Sequence, residues 1–140
     1  MTDLTLTTER TINAPQEKVF NAWLDPEMLR KFMTPGPDMT VPRASNEPKT
    51  GGTFDIVMQA GENEIPHSGK YLEINPHDRI VFTWISPYSV DDSTVTLTFS
   101  SVEGGTHVTL THLRFMDTET RDNHQGGWNS ILDALNEALT

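Results

Sequence analysis

The chain has 140 residues, ten Lys plus Arg against twenty Asp plus Glu for a formal net charge of −10, and no cysteine. That length suits one globular domain over residues 1–140. The acidity speaks against nucleic acid and an anionic membrane surface as partners, and the missing thiols exclude disulfide frameworks and thiolate metal sites. "MTDLTLTTER" places no basic flank before an apolar run, and no stretch is apolar enough to span a bilayer, so the expected location is cytoplasmic.

"LTLTTERTI" alternates Leu4, Leu6, Thr8, Arg10 and Ile12 against Thr5, Thr7, Glu9 and Thr11, which predicts a first strand. A short helix follows, with Asn13 or Ala14 at its cap, Pro15 at its first position and Val19, Phe20 and Trp23 as its apolar stripe. Asp25 as N-cap, Pro26 in the first turn and Glu27 against the helix dipole predict a second. The segment from Met33 to Gly52 carries four prolines and three glycines, so it predicts a loop with at most a short edge strand around Met39 to Ala44.

Strand signals then resume. "GTFDIVMQ" puts Phe54, Ile56 and Met58 on one face, "SGKYLEI" continues, and "NPHD" turns the chain into "RIVFTWI", where Ile80, Phe82 and Trp84 share a face. Val95, Leu97 and Phe99 alternate before Gly104 and Gly105, and Val108 and Leu110 alternate after them, the pattern of a hairpin. Asp117 or Thr118 caps a last helix that runs nearly to Thr140 with Trp128, Ile131, Leu132, Leu135 and Leu139 on one stripe. The expected fold class is α+β: a mostly antiparallel sheet of about six to seven strands on a long C-terminal helix, with two short helices after the first strand.

Parity along the last strand, fixed by Val108 and Leu110, points His112 and Arg114 inward and His107 outward. On the last helix His124 lies one turn before Trp128, and Gly127 removes a side chain from the same face. A helix facing a sheet ordinarily fills such positions with large aliphatic residues. The expectation is a cavity with polar groups converging on it, walled by Trp84 and Trp128. Blander readings stay open: His112 and His124 as hydrogen-bonded core histidines, Gly126 and Gly127 as sites of close helix-to-sheet contact, and Arg114 turned to solvent. His67, His77, His107, His112 and His124 show no metal-ligand spacing, and neither a phosphate loop nor a nucleophile elbow is present, so no metal, cofactor or catalytic residue is assigned.

Taken together, "RTINAPQEKVFNAWLDPEMLRKF", "GGTFDI", "GKYLEINPHDRIVFTW", "VTLTFSSVEGGTHVTLTH" and "HQGGWNSILDAL" resemble the activator-of-heat-shock-protein-90-ATPase-like family, within the START-like, helix-grip superfamily. The resemblance covers almost the whole chain and implies a curved sheet gripping the C-terminal helix around a cavity. It matches His124, Gly127 and Trp128 to the family's histidine-glycine-tryptophan motif, Trp84 to its strand tryptophan and His112 to its "TH" position, and it supplies no shared catalytic set. Where many relatives have paired tryptophans after the second helix, Phe32 and Met33 imply a wider or more adaptable cavity entrance. The 140 residues hold no counterpart of the separate N-terminal domain through which the eukaryotic co-chaperone contacts its chaperone.

The leading expectation is binding of a small hydrophobic or amphipathic molecule. Phe54, Ile56, Met58, Phe82, Trp84 and Trp128 would supply apolar surface, Gly127 room, and His112, Arg114 and His124 orientation. A cyclase-, dehydratase- or hydrolase-type enzyme using His112 or His124 as acid/base is the second expectation, and a chaperone-associated interaction module the third. Monomer and homodimer are both open.

Overall fold

The computed structural model describes residues 4–34, 36, 38–87, 89–90 and 93–139. The first alternating stretch forms β1 (Thr5–Ile12), and two short helices, α1 (Gln16–Ala22) and α2 (Pro26–Phe32), follow it. Six strands come next: β2 (Met39–Asn46), β3 (Thr53–Ala60), β4 (Asn63–Asn75), β5 (Arg79–Thr83), β6 (Thr94–Val102) and β7 (Gly105–Leu113). The chain closes with α3 (Thr118–Leu139). Among the described residues seven strands form one antiparallel, curled sheet in the order β1-β7-β6-β5-β4-β3-β2. Its concave face carries the inward residues of each alternation, and α3 lays Trp128, Ile131, Leu132 and Leu135 against them, all buried.

Three boundaries differ from the sequence expectation, each for a local reason. Pro15 is the N-cap rather than the first residue of α1: its backbone is extended, and the helix begins at Gln16. The Gln16 amide donates to the carbonyls of His77 and Phe99 at 2.9 and 3.2 Å, tying that helix start to the sheet. The edge strand β2 runs on to Asn46, with a register shift between Thr40 and Arg43. Pro42 lies inside that shift, where its missing N–H removes no ladder bond. β4 reaches back from Ser68 to Asn63, pairing through Pro66 with Val57.

Two glycines have opposite explanations. A Cβ on Gly69 would lie 2.0 Å from the Thr83 carbonyl oxygen and 2.6 Å from the Phe54 ring, so β4 can pass there only without a side chain. Gly126 is exposed on α3, and a Cβ there would meet nothing within 4 Å, so it serves neither close helix-to-sheet contact nor the cavity. Gly126→Ala is therefore expected to stabilise the protein by about 1 kcal/mol through helix propensity. Urea unfolding of the two proteins checks this; a loss of stability would mean that the backbone of α3 needs glycine at that point.

The start and the flank of α3 are fixed by polar contacts. Asp117, of the two candidate caps, accepts from the Thr120 N–H at 2.8 Å. The Thr8 hydroxyl donates to Asn129, Arg10 pairs with Asp133, and the Asn13 N–H donates to Asn136 Oδ1 at 2.9 Å. These contacts run along β1 and hold the helix lengthwise, which sets its first turns over β3, β4 and the end of β5.

Candidate functional site

A cavity of about 140 Å³ lies between those first turns and the sheet, lined by Met58, His67, Trp84, Asn123, His124, Gly127, Trp128 and Ile131. The alternation in β3 brings Met58 inward, and β4 pairs with β3 so that His67 stands opposite the buried Ile56. Trp84 follows β5 on the face of Ile80 and Phe82. On α3, His124, Gly127, Trp128 and Ile131 recur at three- and four-residue spacing, one helical face. Asn123 is exposed, so the cavity reaches the surface beside it.

Hydrogen bonds fix which nitrogen of the neutral His112 ring carries the proton. His112 is 1% exposed; its Nδ1 accepts from the Trp128 indole N–H at 3.0 Å, and its Nε2 lies 2.7 Å from Ser93 Oγ. An indole N–H only donates, so Nδ1 is bare and the neutral ring carries its proton on Nε2, donating to Ser93. Burial, and then the nearby His124, pushes its pKa down to about 3. Both ring nitrogens are engaged inside the protein, and His112 is not part of the cavity wall. The core-histidine reading describes it, and acid/base chemistry in the cavity would fall to other groups.

His67 and His124 are arranged differently. The Nδ1 of His67 lies 3.1 Å from the Ile65 carbonyl, and that of His124 2.9 Å from the Thr120 carbonyl one turn earlier. A carbonyl only accepts, so each Nδ1 carries a proton. Burial pushes the pKa of His67 down to about 4 against the raising effect of the Ile65 bond, with His124 lowering it and a second backbone bond, to Ile56, raising it. The His112 and His124 rings meet edge to face at 5.4 Å, and His67 packs on Trp84 at 4.9 Å.

Trp84 is the central wall. Its ring lies 4.9 Å from that of Trp128, and its Nε1 is buried with no acceptor among the described residues. Beyond it, a second void of about 20 Å³ is bounded by Trp23, Met33, Phe54, Ile56, Tyr71 and Phe82 among others. That is room for about one water molecule. The Trp23 indole N–H is likewise buried without an acceptor among the described residues.

The expected site residues thus divide. Met58, Trp84, His124, Gly127 and Trp128 line the cavity, whereas Phe54, Ile56 and Phe82 line the small void behind Trp84. Phe32 and Met33 are fully buried and form no entrance. Arg114 does not continue the inward row: β7 ends at Leu113, Arg114 takes a φ of 75°, and the residue is exposed. His67, Asn123 and Ile131 are cavity residues that sequence reasoning did not include in the site; for His67, its pairing opposite Ile56 would have given its face. Among the described residues no three His, Asp or Glu side chains group as a metal-ligand set, and no helix is long and apolar enough to cross a membrane.

Solved structures share this architecture. A protein from Nitrosomonas europaea is 26% identical with a TM-score of 0.81, covering 97% of this chain and 94% of its own. An AHSA1-like protein from Aeromonas hydrophila is 26% identical with a TM-score of 0.81, covering 96% and 90%. The AHSA1 protein from Silicibacter pomeroyi is 27% identical with a TM-score of 0.80, covering 97% of each chain. No curated protein matches the chain. The family described as "Activator of Hsp90 ATPase homolog 1-like protein" matches residues 13–140. Together with the curled sheet around α3, that match shows that the chain belongs to this family, within the START-like, helix-grip superfamily.

Proposed function

We propose that this protein is a cytoplasmic single-domain binding protein that takes a small hydrophobic or amphipathic molecule into the cavity between sheet and helix. The observation that carries this reading is the wall itself. Met58, Trp84, Trp128 and Ile131 give an apolar lining, while His67, Asn123 and His124 add polar side chains to it. A structural core would have filled the space beside Gly127 with a side chain.

Gly127→Leu tests the reading, because the added side chain occupies the cavity while favouring the helix. Toluene titrated into ¹⁵N-labelled protein is expected to shift the indole resonances of Trp84 and Trp128, with affinity reduced tenfold or more in Gly127→Leu and a melting temperature close to wild type. Equal binding by both proteins would place the toluene elsewhere and remove the proposal.

A further inference from the structure

Taking the cavity as the binding site proposed above, we infer that Trp84 is the residue that sets ligand size: it floors the cavity and limits the ligand to a compact apolar molecule the size of a single ring. Position carries the first step. Among the described residues, Trp84 alone lines both the cavity of about 140 Å³ under α3 and the void of about 20 Å³ behind it. β3 shows the same division. Met58 and Ile56 both point inward two residues apart, yet Met58 lines the cavity and Ile56 the void, with the Trp84 ring between the two spaces.

The floor is held by the backbone on both sides of it. The Trp84 backbone N–H donates to the Ser93 carbonyl at 2.9 Å, and the next residue, Ile85, exchanges hydrogen bonds with Ser68 at 2.8 and 2.9 Å. The ring is wedged 4.9 Å from both Trp128 and His67, and 6.3 Å from both Phe54 and Phe82. The space behind it has room for about one water molecule and cannot receive a rotated indole.

Volume gives the second step. The cavity holds about 140 Å³, close to the cavity of about 150 Å³ that admits benzene in another protein. It takes one six-membered ring with a short substituent. A long acyl chain or a sterol would have to displace Trp84 or lie outside the protein. Behind the floor, Leu29, Phe54, Ile56 and Phe82 present the apolar surface that a longer ligand would bury if the indole were cut back.

Toluene, n-propylbenzene and n-pentylbenzene, titrated into wild type and into Trp84→Leu, test this. Each methylene that becomes buried should tighten binding about fourfold, so the step from propyl to pentyl is worth roughly tenfold or more where the space continues. Wild type is expected to bind the propyl and pentyl probes within about twofold of each other, and Trp84→Leu to show the full gain. Trp84→Phe should fall between, and stands in for the leucine variant if that one does not fold. Phe54→Leu enlarges the void but keeps the floor, so its profile should match wild type. Toluene bound to wild type should give intermolecular NOEs to the Met58 methyl and none to the methyls of Ile56. A roughly tenfold gain in wild type or in Phe54→Leu, a contact between toluene and Ile56, or a flat profile in a folded Trp84 variant would each overturn the inference while leaving the cavity a binding site. Binding of none of the three probes by wild type would remove both.

Discussion

Trp128→Ala is expected to destabilise the protein by about 3 to 5 kcal/mol. Trp128 is 2% exposed, its ring packs on Trp84 at 4.9 Å, and its N–H is the partner of His112 Nδ1 at 3.0 Å. Truncation removes the large apolar surface by which the first turns of α3 hold the sheet. It also enlarges a cavity that already measures about 140 Å³, so the neighbouring side chains have little with which to close the gap. Finally it leaves a buried acceptor on His112 without its donor, a cost of about 1 to 3 kcal/mol by itself. Trp128→Phe separates the two contributions, because it keeps most of the packing and loses the N–H. Urea unfolding should place the phenylalanine variant between wild type and alanine. An alanine variant within about 1 kcal/mol of wild type would mean that α3 is held by its contacts to β1 and not by this ring.

The fold was legible because its apolar residues repeat with clean periods. Alternation in β1, β3, β5, β6 and β7 and the stripe from Trp128 to Leu139 gave the elements and their buried faces. The same parity brought His112 inward correctly. It failed two residues later at Arg114, since the strand ends at Leu113 and a positive φ resets the direction of the chain. His67 stayed hidden for a related reason. The strand reading started at Ser68, one residue past it, whereas β4 starts at Asn63 and takes Pro66 into its pairing with β3.

The site was legible only as a face. Parity states which side of the sheet a residue occupies; it does not state what stands between that residue and the helix. Phe54, Ile56 and Phe82 share the inward face with Met58, but the Trp84 ring separates them from the cavity. The division of labour among the histidines was beyond sequence for the same reason. His112 and His124 are both inward, but the Ser93 hydroxyl and the Trp128 indole take both nitrogens of His112, whereas His124 bonds the Thr120 carbonyl of its own helix through Nδ1.

Those buried rings make acid the condition that should unfold this protein. Folding moves the pKa of His112 from 6.5 down to about 3 and that of His67 from 6.5 down to about 4, in both cases chiefly by burial. Both folded values lie below the unfolded one, so the unfolded chain binds more protons and stability increases with pH across the interval. The contribution is complete above about pH 6.5 and is lost as pH falls from there toward the folded values. By pH 4 the loss is on the order of 3 kcal/mol for each ring, together a large part of the 5 to 15 kcal/mol that holds a typical domain. Asp117, held below its ordinary value by the Thr120 side chain and N–H, acts in the same direction but only within and below the carboxylate range. Urea unfolding at pH 7.5, 5.5 and 4.5 should therefore show stability falling by up to about 2.7 kcal/mol per pH unit in the steep part, the slope for two protons. In His67→Phe the slope should drop to that for about one proton. A flat profile between pH 6.5 and 4.5 would show that neither imidazole is kept neutral by the fold, which would remove the acid lability.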